Sequence, residues 1–379
     1  MAVEKQTDIL LPDGAPSPGP PPGLLTNGGR KRVLLGLAAA AVALVYGCYW
    51  SYLAGQVKTG VEQWAAERRS EGFEAGYGSV RVSGFPFRLV AAIESPQLAS
   101  PQGLKPWSWK GPALVMKARP WRLTRVRLSA PGRHHFTLTQ KGRPVALTVD
   151  VGELGLKLKL RGGGAGRAML SVRDLTVKGA SENTAAGIAA ADIIIERPGV
   201  ADNGGPGDSA PALDLLVEVE GVSYPLAPVR GLGRTTARLY VGVSVTGQAD
   251  DALGPGKFGA DAMARWRDSG GTLEVKRFAL GHGPLALGGD GTLALDGSMR
   301  PIGAFTLRIK GFEETLDRLA EAGVIKPYPA ALAKTVMKAL ARKQGVPGGE
   351  ELKAPLTLQD GWLYVGPVAL AKLPPIHFP

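Results

Sequence analysis

Side chains do chemistry when donors, acceptors or nucleophiles share one point, and this chain offers few such sets. Its four histidines are His134, His135, His282 and His377. His134 and His135 are adjacent, so on a strand they project to opposite faces and cannot chelate one ion together. His282 and His377 fall in loop or tail contexts, where a solvated or hydrogen-bonded imidazole is the ordinary role. Carboxylates are scattered without a spacing that pairs them. There is no G-x-S-x-G elbow, Walker loop or H-E-x-x-H helix. The one cysteine, Cys48, excludes an intramolecular disulfide framework and a cysteine metal cluster. The sequence therefore predicts no catalytic residues, no cofactor and no metal, and a protein that is not an enzyme.

Charge is the stronger signal. Lys and Arg number 45 against 33 Asp and Glu, a formal charge of +12, which favours anionic partners. No acidic residue occurs between Glu94 and Asp150. That span carries Lys105, Lys110, Lys117, Arg119, Arg122, Arg125, Arg127, Arg133, Lys141 and Arg143, with Trp107, Trp109 and Trp121 among them. One reading is a surface for anionic lipid headgroups, made by Arg119, Arg122, Arg125 and Arg127 and rimmed by the three tryptophans. The other is the solvated face of a sheet with the tryptophans in its core. Nucleic acid is not expected, because the address of the chain points outside the cytoplasm.

That address comes from the first elements. Residues 1–29 are rich in Pro and Gly and poor in bulky apolar groups, a disordered tail by composition. Arg30-Lys31-Arg32 precedes a charge-free stretch from Val33 to Val57. About 20 apolar residues span a bilayer, so residues 30–54 read as a single transmembrane helix. Tyr46, Tyr49, Trp50 and Tyr52 crowd its far end like an interfacial belt. The basic triplet keeps the N-terminus cytoplasmic and sends the rest across the inner membrane. Val45-Tyr46-Gly47-Cys48 weakly resembles a lipoprotein box, but an uncleaved anchor is the preferred reading. Residues 55–76 read as a helical stalk, with Val57, Val61 and Trp64 on one face.

From residue 77 to 379 strand patterns dominate. Alternation of apolar and polar residues marks 144–151, 153–160, 168–179, 213–223 and 236–247. Glycine-rich turns separate the strands and no long crossover joins them, so the sheet should be antiparallel. The clearest meander is 271–311, with Gly289-Asp290-Gly291 and Asp296-Gly297 as hairpin turns and Leu285, Leu287, Leu293, Leu295, Phe305, Leu307 and Ile309 on the covered side. Helical insertions are expected near 257–268, 312–322 and 328–344, and a flexible loop at 198–211. The stretch GSVRVSGFPFRLVAAIESPQLAS at 78–100 changes apolar parity at Gly84, which implies a bulge or a tight turn. Placed on one bent strand, Phe85, Phe87 and Leu89 would line the inner face of a curved sheet, with Leu293 and Leu295 on the same apolar surface. The fold class is mainly β: a membrane helix, then a large curved antiparallel sheet, built as a groove, taco or sandwich, with a few helical insertions.

GSVRVSGFPFRL, SPQLASP, PWSWKGPALVMKARPW, GGDGTLALDGSMRPIGAFTLRIKGFEETLDRL and GWLYVGPVALAKLPPIHFP resemble a Gram-negative envelope family, domain of unknown function 2125. The strand and turn texture is more weakly similar to AsmA-like proteins. The first resemblance implies an anchored periplasmic protein with no assigned activity; the second implies lipid handling, by analogy. Together with the residues this gives two expectations. One is an anchored periplasmic module that binds lipid or another hydrophobic envelope component through Phe85, Phe87, Leu89, Leu293 and Leu295. The other is an interaction protein of the envelope with a closed core and protein partners.

Overall fold

The computed structural model describes residues 27–101, 106–140, 142–161, 164–179, 185–198, 212–247, 259–343, 351–365 and 368–376. The Pro- and Gly-rich leader up to residue 26, Lys105, Lys141, most of the 198–211 loop and His377 lie outside them. The chain divides into two compact units, Met1–Tyr52 and Leu53–Pro379. Helix α1, Asn27–Ser70, is 44 residues long and starts inside the segment read as leader. From Arg30 it is long and apolar enough to cross a membrane, and none of its most apolar window is buried. In the second unit the inward face of this helix is Val57, Val61 and Ala65, with Ala65 fully buried. Trp64 turns outward instead, because i, i+4, i+8 is the spacing that keeps one face.

Among the described residues, the chain after α1 is built on one antiparallel sheet of 19 strands. Its trunk is a ladder of eleven strands joined in chain order: β9 Arg143–Arg161, β10 Gly164–Lys178, β11 Ala185–Glu196, β12 Leu213–Ser223, β13 Thr235–Val245, β14 Leu273–His282, β15 Leu285–Leu295, β16 Pro301–Lys310, β17 Glu351–Gln359, β18 Trp362–Val365 and β19 Val368–Lys372. On its other edge β9 forks. Its first half pairs with β8 Gly132–Gln140, continued by β5 Trp107–Lys110, β4 Gln97–Ser100 and β1 Glu74–Gly76. Its second half pairs with β7 Arg122–Ser129, continued by β6 Leu114–Arg119, β3 Leu89–Ile93 and β2 Val80–Ser83.

The fork coincides with a crease. Registers run evenly on both sides of one row, Gly152, Asp174, Ala189, Gly221 and Ala237, at which strand pairing lapses. Asp174 and Gly221 adopt left-handed backbone there, with φ of 52° and 62°. The apolar residues change parity at this row: Val145, Leu147, Val149 and Val151 on one side, Leu154, Leu156 and Leu158 on the other. Such a change needs a break in the two-residue period, and on β10 and β12 the left-handed Asp174 and Gly221 supply it.

Three helices interrupt the trunk: α2 Ala260–Asp268 before β14, then α3 Phe312–Glu321 and α4 Pro327–Lys343 between β16 and β17. Asp296-Gly297 does turn a hairpin: Asp296 accepts backbone N–H bonds from Ser298 and Arg300, and Arg300 Nε donates to its other oxygen. Gly289-Asp290-Gly291 does not turn. It lies inside β15, and the chain instead reverses at Gly283-Pro284. These glycines serve packing, because a Cβ on Gly289 would stand 2.6 Å from Phe278 Cε1 and one on Gly291 2.5 Å from Phe305 Cδ1. Two aromatic rings lie over bare backbone, a role glycine also has in strands.

Candidate functional site: an apolar sheet face

Directly opposed residues of an antiparallel ladder share a face, so the register assigns both faces of the trunk. One row runs Leu158, Ala168, Ile195, Leu215, Val243, Val275, Gly291, Phe305, Leu356 and Val365. The next runs Leu156, Leu170, Ile193, Val217, Val241, Phe278, Gly289, Leu307 and Ala354. Both are apolar across the whole trunk. Bulges between Gly242 and Val243 and between Val275 and Phe278 bend the strands between them.

The opposite face is charged and carries cross-strand ion pairs. Arg173 Nη2 donates to Asp192 Oδ2 at 2.6 Å, Arg308 Nη2 to Asp290 Oδ1 at 2.8 Å, and Arg238 pairs with Glu218. The Arg173 hydrogen bond holds the Asp192 carboxyl below the usual range against the opposing effect of burial. A sheet with one wet and one apolar face normally covers the apolar one with a second layer.

Among the described residues the helices cover only its ends. At one end Trp266 and Ala262 of α2 pack with Val245, Leu273 and Leu295, and the Trp266 indole donates to Thr246 O at 2.8 Å. At the other end Phe312 of α3 and Ala341 of α4 pack with Leu352, Ile309 and Met337. Between these clusters Leu215, Val217, Val241, Phe278, Val275, Phe305 and Leu307 are half-buried, and Val243 among them is buried. Leu293 sits in this face opposite Leu273, and Leu295 belongs to the α2 cluster.

Phe85 and Phe87 do not join this face. Together with Pro86, which follows a cis peptide bond, they form the tip of the β2–β3 hairpin, at 57% and 70% exposure, whereas Leu89 is 2% exposed. Gly84 has φ 99° and its carbonyl accepts from Arg88 N at 2.8 Å. The parity change at Gly84 is thus a tight turn, and the three residues share no strand.

The cationic set is also divided. Arg119, Arg122, Arg125 and Arg127 line one recess of about 410 Å³ with Arg88 and Lys117. Trp121 stands at the adjacent β6–β7 turn, 57% exposed. Trp107 and Trp109 are on β5, in the other branch, opposite Leu138 and Phe136. Trp109 donates its indole N–H to His134 Nδ1 at 3.2 Å, and His134 Nε2–H then donates to Ala130 O at 3.0 Å. These two tryptophans and His134 are packing groups of that branch. His282 is buried likewise, its Nδ1 at 2.9 Å from Thr236 Oγ1. Among the described residues, no three of His, Cys, Asp and Glu gather into a set that would hold a metal ion.

What the sequence reading missed was continuity. It placed Leu293 and Phe305 on a covered side, but the matching rows in β10 to β13 become visible only through the register. No curated protein and no solved structure matches the chain. Residues 50–374 match the model of a family described as an uncharacterized protein conserved in bacteria, DUF2125.

Proposed function

Since the chain belongs to this bacterial family, whose description names no activity, the function must be read from the sheet itself, and we propose that it is a membrane-anchored binding protein for lipid or another hydrophobic envelope component. The observation that carries this is the half-buried apolar face that no helix covers among the described residues, between the α2 and α3–α4 clusters. Apolar surface left in water costs about 25 cal/mol per Å², and a contiguous patch of this kind is a binding site or a liability. Acyl chains suit it, because the two rows offer no hydrogen-bonding side chain across the trunk. Helix α1 supplies the anchor, Arg30-Lys31-Arg32 orients it with the sheet on the periplasmic side of the inner membrane, and lipid handling of an AsmA-like kind is the corresponding role. Binding, with no covalent chemistry, is the activity proposed.

A second reading has one observation of its own. On α4, Tyr328, Leu332, Val336 and Leu340 follow one another every four residues and all face out, Tyr328 at 80% exposure. A helix stripe of this kind suits an envelope protein partner.

The test uses the full-length chain in cells, with a photo-crosslinking benzoylphenylalanine at Val241 or Phe305 on the apolar face, or at Tyr240 or Ala304 on the other. The expected result is lipid-mass adducts at the first pair and none at the second. Equal yields at all four positions would refute the reading, and a protein adduct confined to α4 would favour the partner.

A further inference from the structure

The cationic recess and the exposed aromatics belong to the same end of the sheet. Leu89 is paired with Ala118, so the β2–β3 turn at residues 84–88 lies beside the β6–β7 turn at 119–122. Arg125 is paired with Lys159, so the far end of β9 arrives at the same edge. The β2–β3 and β6–β7 turns therefore present Phe85, Phe87 and Trp121 outward, all more than half exposed. Behind them stand Arg88, Lys117, Arg119, Arg122, Arg125 and Arg127.

These cations are placed against their own electrostatics. Lys117 faces Arg127 directly across the ladder, Arg127 faces Lys157, and Arg125 faces Lys159. Like charges in opposed positions destabilise a sheet. In the trunk, by contrast, Arg173, Arg238 and Arg308 each meet an acid. Among the described residues, Lys117, Arg119, Arg122, Arg125 and Arg127 meet no carboxylate within ion-pair distance, and residues 95–149 contain none to offer. All five are exposed, so an anion from outside can reach them.

We propose that this two-turn end is a docking surface for an anionic phospholipid bilayer. The aromatic tips enter the headgroup boundary, where an apolar ring edge and water meet, and the arginines behind them bind phosphate oxygens in pairs. Aromatic residues at apices with cations one row behind fit a flat, negatively charged, partly apolar surface, which a soluble phosphate compound does not present. The inference stands apart from the apolar trunk face and does not require a ligand there.

The test is made on the full-length chain carrying Cys48→Ser and Phe87→Cys, labelled at residue 87 with a polarity-sensitive nitrobenzoxadiazole. The protein is reconstituted in phosphatidylcholine vesicles with or without phosphatidylglycerol, and a second set of vesicles is added to catch docking onto an opposing membrane. The membrane helix holds the chain in every case, so the probe reports the turn alone. A blue shift that requires phosphatidylglycerol and is reversed by salt is expected. R119Q/R122Q/R125Q should weaken it about a hundredfold, at about fivefold per cation removed. A probe that stays in water in both geometries overturns the proposal. So does a shift equal in neutral vesicles, or one abolished by inorganic phosphate, which would make the recess a site for free phosphate. The salt titration of the labelled chain decides the matter even if the triple substitution fails to fold.

Discussion

Val241→Asp is the sharpest perturbation of the apolar face. Val241 lies mid-trunk, with Val217 opposite on one side and Phe278 on the other. An acyl chain lying across strands spaced about 4.8 Å apart passes roughly three or four methylenes over each. At about 0.8 kcal/mol per methylene, a charge that keeps the chain off one strand removes about 2.5–3 kcal/mol. At about 1.4 kcal/mol per decade this is roughly 50- to 150-fold in affinity. The comparison is Ala304→Asp, which adds the same charge on the exposed, opposite face. Binding is read by titrating a fluorescent phospholipid into full-length protein held in nanodiscs, with thermal unfolding to confirm that both variants fold. Val241→Asp should bind far more weakly while Ala304→Asp matches the unsubstituted chain. A folded Val241→Asp protein with unchanged affinity would refute the reasoning, because the face would then carry no ligand at its centre.

Three further outcomes follow from packing and charge. Gly221→Ala puts a Cβ 2.7 Å from Ala189 Cβ at a residue with φ 62°; left-handed strain and overpacking should together cost about 2–4 kcal/mol in denaturant unfolding. Trp266→Ala removes the α2 anchor, 4% exposed and bonded to Thr246 O; a loss of about 3–5 kcal/mol and new protease cleavage around α2 are expected. Asp192 has its folded pKa lowered by Arg173, so its stabilising effect is complete above the unfolded carboxyl value of about 3.9 and fades as pH falls below it. The stability gap between the unsubstituted chain and Asp192→Asn should therefore be constant at neutral pH, at about 1 kcal/mol, and close only in acid.

Local patterns reached as far as local physics does. The helices near 257–268, 312–322 and 328–344 were legible because apolar spacing acts within a turn or two, and they appear as α2, α3 and α4. The antiparallel ladder was legible because alternation and short turns are local too. Gly289-Asp290-Gly291 was misread because a glycine in a turn and a glycine beneath a ring have the same letter; only the neighbouring Phe278 and Phe305 distinguish them. Phe85 and Phe87 were misread because parity alone does not separate a bulge from a hairpin tip. The cationic run was legible as a run, but not its division: Trp109 goes to one branch and Arg125 to the other because β9 forks, and a fork is a long-range pairing.

The apolar face can be covered by helices, by a second copy of the chain or by a ligand. The helices are poorly placed for it. Phe312 and Trp266 each bury against strand ends, and α4 leaves Tyr328, Leu332, Val336 and Leu340 outward, away from that task. A second copy would have to match two aliphatic rows, each broken by one ring beside one glycine, Phe278 over Gly289 and Phe305 over Gly291. Flexible chains follow such relief better than a second pleated sheet, whose own side chains need holes of fixed spacing. The Val241 crosslink separates these covers by mass alone: an intramolecular product for a helix, twice the chain for a second copy, and a small increment for a lipid.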